Sequence, residues 1–156
     1  MDDTTRSIIE QITERYSKPQ ALPSGHTSQV YFDCQRLTPN DLARLAAQAV
    51  GSMDHDDFDM VLGIAYNGIL FAAAVAGGKN VAILRADQKI WGPSIKSKKI
   101  LIVSDVVCTG KEFFKALKIA ESEKATVVGF ACIIDRSGGK LSDSKLPIWS
   151  AAQIAL

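Results

Sequence analysis

The chain has 156 residues, with 18 lysines and arginines against 17 aspartates and glutamates, for a formal net charge of +1. At 47% hydrophobic and 22% charged residues it has the balance of one ordinary globular domain, long enough to bury a core of its own. Near-neutrality leaves no whole-chain basic field, which argues against nucleic acid and anionic membrane as partners while leaving room for a local basic pocket.

Cys34, Cys108 and Cys132 are too few and too scattered for a disulfide framework, and together with His26 and His55 they form no zinc spacing. Reduced thiols in a cytoplasmic protein are the expectation. The longest apolar run, 69–76, is far short of a bilayer span, and the acidic N-terminus does not resemble a signal peptide.

Residues 1–17 have the spacing of an amphipathic helix, with Ile8, Ile9, Ile12 and Tyr16 on one face and Pro19 as its stop. Residues 22–28 have loop chemistry, and 29–34 alternate as a short strand does. A helix is expected over 39–50, with Leu42, Leu45, Ala46 and Ala49 facing inward. From Phe58 onward apolar runs alternate with helical segments. Strands are expected at 60–64, 81–84, 100–103 and 126–134, and helices at 69–76 and 112–123. Gly77 and Gly78 end the first of these two helices. Such alternation predicts an α/β fold, a doubly wound and mostly parallel sheet with helices on both faces. Residues 86–99, with Gly92-Pro93 and three lysines at 96–99, are expected to be a mobile loop or β-ribbon over a site, or a plain surface connection.

Ligands collect at the carboxyl ends of the strands in such a sheet. The segment 100–111, ILIVSDVVCTGK, runs from a buried strand through Asp105 and a Thr109-Gly110 turn into a helix start. Free N–H groups, the helix dipole and Lys111 would suit a phosphate there. The spacing is not that of a Walker A loop, which needs an earlier glycine and a hydroxyl after the lysine.

This segment resembles the phosphoribosyl pyrophosphate (PRPP) signature of the type I phosphoribosyltransferases: an apolar strand, an acidic pair, two apolar residues and a small Thr/Gly-rich loop. Residues 22–33 (LPSGHTSQVYFD) resemble the N-terminal hood of the orotate phosphoribosyltransferases, L-K-S-G-R-x-S-P-Y-x-F-[DN]. Residues 63–68 (GIAYNG) are similar to the pyrophosphate loop G-P-A-Y-K-G. Residues 85–89 (RADQK) are similar to the start of the catalytic loop R-K-E-x-K, and 135–139 (DRSGG) to the D-R-x-x-G turn. The likeness spans 22–139 and keeps the family's order.

The resemblance implies a single phosphoribosyltransferase-like domain over 1–156, with hood contributions from about 18–36 and 136–156. It implies transfer of phosphoribosyl from PRPP to a pyrimidine base, orotate, in nucleotide synthesis. Ser104 and Asp105 would hold the ribose, with Asp105 and Lys89 the catalytic pair. The turn Cys108, Thr109, Gly110 and Lys111 would cradle the 5′-phosphate. Tyr66, Asn67 and Gly68, with Arg85 and Lys89, would meet the pyrophosphate. Phe32 and Arg136 would meet the base, Arg136 pairing its carboxylate. Mg²⁺ would be held mainly through PRPP, with no metal-ligating side chain of the protein's own. A homodimer is implied, the catalytic loop of one subunit reaching its neighbour's site.

Plainer roles exist for several of these residues: Arg136 as a strand-end arginine, Lys89 as a solvated lysine, Tyr66 packed on the sheet, Cys108 as a small spacer. Phe113, Phe114 and Leu117 read as the core face of a helix, and His55 as part of a solvated acidic loop at 54–57. The chain also departs from the family pattern. Pro23, Asn67 and Ala86 stand for lysines, His26 for an arginine, Trp91 for a histidine and Ser104 for the first acid of the ribose pair. Glu112 stands where a small or hydroxyl residue is usual. Two other functions follow from these changes: a sister transferase for a purine or other base, and a catalytically weak PRPP- or nucleotide-binding regulatory domain.

Overall fold

The computed structural model describes residues 1–22 and 25–155, so the departure at Pro23 lies outside the described residues. Asp2 caps α1 (Asp3–Gln11), its carboxylate accepting from Thr5 N at 2.7 Å. Ile8, Ile9 and Ile12 are buried at the expected spacing. The helix nevertheless ends at Gln11, and the residues expected to carry it to 17 form β1 (Thr13–Ala21), antiparallel to β2 (Thr27–Phe32). Thr13 donates its hydroxyl to Ile9 O at 2.6 Å and Asp33 N donates to Ile12 O at 2.8 Å, so the chain turns at Ile12. Pro19 stops no helix. It falls in the irregular register between Arg15 and Gln20, where a missing N–H costs no ladder bond. The strand expected at 29–34 is shifted back by two residues, because Asp33 accepts from Gln35 N and starts a 3₁₀ turn at Cys34–Arg36.

α2 (Pro39–Val50) begins at a capping box in which Thr38 and Asp41 exchange side-chain and backbone bonds. Beyond it lie β3 (Met60–Ile64), α3 (Ile69–Ala76), β4 (Val81–Leu84), β5 (Ile90–Trp91), β6 (Lys99–Val103) and β7 (Val106–Val107). α4 (Lys111–Ser122), β8 (Thr126–Asp135) and β9 (Ile148–Gln153) complete the fold. The main sheet has seven strands. β4, β3, β6 and β8 run parallel side by side, and β5 is antiparallel at the β4 edge. The long β8 pairs with β6 along its first half and with β7 at its end, while β9 runs parallel along its other side.

The pleat explains the continuous apolar runs, because successive side chains feed opposite faces. Val61, Leu101, Val103, Ala131 and Ile133 pack with α1, α2 and α3. Met60, Leu62, Ile100, Ile102, Phe130 and Cys132 pack with α4. There Phe113 stacks on Phe130 at 4.7 Å between centroids and 10° between planes. The fold is thus the mixed α/β arrangement expected, helices covering both faces of a mostly parallel sheet. The proposed hood share of 136–156 does not follow one element. Residues 148–153 extend the sheet as β9, with Ala151 and Ala152 buried. Residues 86–99 are largely fastened. Arg85 N donates to Lys89 O at 2.9 Å, β5 pairs with β4, and Ile95 is buried, so the segment starts as a short β-ribbon, one of the forms expected.

Candidate functional site

β6 leads into Ser104, which is buried, and Asp105, whose carbonyl accepts from Ile133 N at 2.8 Å and Ile134 N at 3.1 Å. These bonds tie the peptide to β8 and hold the side chain at the sheet edge. Ser104 Oγ donates to Asp105 Oδ1 at 3.4 Å. Burial raises the Asp105 pKa above the ordinary carboxylate value, opposed by bonds from Val106 N, its own N–H and Ser104.

The turn from Cys108 to Gly110 leads into α4. Gly110 is the N-cap with φ +77°, a left-handed conformation favouring glycine, and a Cβ there would overlap Leu141 Cδ2. Among the described residues no side chain caps this helix start, and Lys111 N donates to Thr109 Oγ1 at 3.3 Å. A helix N-terminus opening into a cavity suits an anion.

The loop after β3 comes close on the other side. A Cβ on Gly68 would lie 2.8 Å from Ser104 Cα and 2.8 Å from Ile64 O, so the two strand-end loops abut only because residue 68 is glycine. Tyr66, joined to Ala65 by a cis peptide bond, is 80% exposed and does not pack on the sheet.

The β1–β2 hairpin closes the third side. Phe32 is buried, with the Arg136 guanidinium 5.2 Å from its ring centroid. Arg136, 5% exposed, donates from Nη1 to Val30 O at 3.1 Å and from Nη2 to Ser28 Oγ at 3.2 Å. Its Nε is buried with no partner among the described residues. The fork expected to pair a carboxylate therefore already serves the hairpin.

Together these elements enclose a cavity of about 460 Å³. It brings together Phe32, Tyr66, Asn67, Gly68, Ser104, Asp105, Cys108, Thr109, Gly110, Lys111 and Arg136. Arg85 and Lys89 do not line it. They sit on the β4–β5 ribbon, where Arg85 pairs with Asp87 at 3.3 Å and covers Trp91 at 4.1 Å from the ring centroid. The sequence reading assigned no role to Leu22 and Tyr31, which also border the cavity. They lay in the hood motif, but only the folding-over of the hairpin brings them to this wall.

Glu112, noted only as a departure, stands at the rim. Partial burial raises its pKa first and the Asp105 carboxylate second, with Lys115 opposing. The lining thus holds Asp105 and Glu112 against Lys111 and Arg136, an even charge balance. Among the described residues no three metal-ligating side chains come together. The acidic loop at 54–57 lies apart from the cavity, fastened where Lys79 donates to the carbonyls of His55 and Phe58 and Lys99 to that of Asp56. No helix among the described residues is long and apolar enough to cross a membrane.

No family model matches the chain. A curated orotate phosphoribosyltransferase from Sulfurisphaera tokodaii is 34% identical over 128 residues, covering 76% of this chain and 66% of the relative, about two thirds of its length. One from Streptomyces avermitilis is 29% identical over 157 residues, covering 89% of this chain and 86% of the relative. Among solved structures, orotate phosphoribosyltransferase from Aeropyrum pernix superposes with a TM-score of 0.78 at 24% identity, covering 96% of this chain and 93% of the other, a likeness of fold.

Proposed function

The chain belongs to the type I phosphoribosyltransferases, most like the orotate phosphoribosyltransferases, and we propose that it transfers phosphoribosyl from PRPP to orotate and releases pyrophosphate. The observation that carries this reading is one cavity fed by three segments: the Asp105–Lys111 turn, the Tyr66–Gly68 loop and the hairpin wall at Phe32 and Arg136.

In the reaction the bond from ribose C1 to the pyrophosphate oxygen breaks, a bond from C1 to a ring nitrogen forms, and the nitrogen's proton is released. Catalysis by this chain rests on positioning and fixed dipoles. Asp105 accepts from the ribose hydroxyls, with Ser104 orienting its carboxylate. The N–H groups at the uncapped start of α4, with Lys111, hold the 5′-phosphate. Tyr66, Asn67 and Gly68 face the pyrophosphate. Phe32 packs on the base, with Arg136 on the same cavity wall.

Mg²⁺ carried on PRPP would supply positive charge for the departing pyrophosphate. The donor set fits an ion carried on substrate oxygens, since among the described residues the carboxylates on the cavity wall are Asp105 and Glu112 alone. Arg85 and Lys89 act in a homodimer, in the neighbour's cavity, which accords with their place outside their own. The domain is one phosphoribosyltransferase unit over 1–156.

A second reading, a catalytically weak PRPP-binding domain, is favoured by Glu112 at the cavity rim and by the tightly closed ribbon carrying Lys89. Steady-state turnover with PRPP, Mg²⁺ and a panel of orotate, uracil and purine bases decides between them. Orotate turnover supports the transferase. Turnover of a purine alone shows a sister enzyme, and PRPP binding with no turnover of any base shows the regulatory domain.

A further inference from the structure

We propose that Arg136 is a positioning residue that latches the β1–β2 hairpin over the cavity, and that it shapes base binding chiefly through that hairpin. The hairpin is a two-stranded sheet of its own, with no ladder bond to the seven-stranded sheet. What holds it over the strand ends must therefore be side chains. Arg136 leaves the end of β8 and reaches more than a hundred residues back in sequence, to Val30 O and Ser28 Oγ, with Phe32 against its face. A planar fork with fixed donors can bridge two acceptors on one strand in this way, and a lysine ammonium on a flexible stem cannot reproduce it.

Another polar link, between the hairpin's exit and the sheet loops, is Gln35 Nε2 to Asn67 Oδ1, at 3.4 Å and exposed. Arg136 is buried and its bonds are partly shielded from water, which makes them the firmer tie. The guanidinium makes both bonds while its Nε stays buried with no partner among the described residues. Tyr31 and Phe32 lie on the latched strand and line the cavity, so releasing the latch loosens the wall that a base would meet. The consequence for the base rests on the transferase reading, while the latch itself is a property of the ligand-free protein.

The test is amide hydrogen exchange over residues 27–32 of the ligand-free protein, paired with KM and kcat for the base. Ser28→Ala removes one acceptor of the latch at a half-buried position, where folding is retained; because Ser28 Oγ also accepts from Val30 N at 3.0 Å, the Val30 amide is left out of the exchange readout. The expected result is exchange about five- to tenfold faster in 27–32, a raised base KM and a kcat within about twofold of wild type. Ser28→Thr, which keeps the hydroxyl, should restore both. Combining Ser28→Ala with Arg136→Lys should give less than the sum of the two effects, because both variants break the same bond. Unchanged exchange and KM in Ser28→Ala, or strict additivity in the double variant, would overturn the latch. If no base is turned over at all, the transferase reading fails and the exchange data still decide the latch.

Discussion

Replacing Gly110 by alanine should damage both stability and phosphate binding, through two separable effects. Gly110 has φ +77°, where an L-residue carries a strain of about 1–2 kcal/mol. Its new Cβ would also collide with Leu141 Cδ2, on a side chain that is fully buried and has no open space to retreat into. Overpacking of that kind costs about 1–3 kcal/mol. The sum is about 2–5 kcal/mol, read as a lower urea midpoint at unchanged slope. Gly138→Ala supplies the control, because its φ is +60° and nothing lies within 4 Å of the added Cβ, leaving strain alone. Leu141→Ala is itself costly, about 2–5 kcal/mol. In the double variant Gly110→Ala/Leu141→Ala the collision is relieved, so the two losses should fall short of additivity by about 1–3 kcal/mol. A Gly110→Ala protein no less stable than Gly138→Ala, or a strictly additive double variant, would refute the placing of Leu141 behind the turn.

Asp105→Asn should be more stable than wild type at neutral pH. Burial raises the native pKa of Asp105, so the fold favours its protonated form, and wild-type stability is lost as pH rises through the native value. The difference between the two proteins should therefore close as pH falls toward the unfolded carboxylate value, and urea midpoints across that window check it. Glu112→Gln should bind PRPP about fivefold more tightly above the raised Glu112 pKa, by removing a carboxylate from the helix start, with the advantage fading below it; equal affinities at alkaline pH would contradict this. Mixed Lys89→Ala and Asp105→Ala subunits should recover about a quarter of wild-type activity, because half the dimers are hybrids with one intact site in two. No recovery in confirmed hybrids would place Lys89 outside its neighbour's cavity.

Helix α2, strands β3, β4, β6 and β8 and helix α3 were legible because their signals are local: the apolar face of Leu42, Leu45, Ala46 and Ala49, a Gly77 stop, and strands apolar on both faces. Residues 13–17 misled because Ile8, Ile9, Ile12 and Tyr16 keep one helical period, whereas β1 exists only through its pairing with β2. β9 gives a weak signal, two alanines and a serine after Ile148-Trp149, and forms because β8 has a free side. The site shows the same division. Ser104 to Lys111 is one contiguous motif, and its turn could be read directly. The absence of Arg85 and Lys89 from the cavity reflects the closure of their ribbon, and the engagement of the Arg136 fork reflects a contact across the whole fold.

The claim that the carboxyl end of β6 holds the sugar of PRPP is tested most directly by titration calorimetry of PRPP with Mg²⁺ into wild type and Asp105→Ala. Losing bonds to an ionised acceptor costs about 1.5–3 kcal/mol. Wild type should bind at one site per chain, and the variant about ten- to a hundredfold more weakly at the same ionic strength. Unchanged affinity in Asp105→Ala would contradict the placement of the ribose, and with it the reading of this cavity.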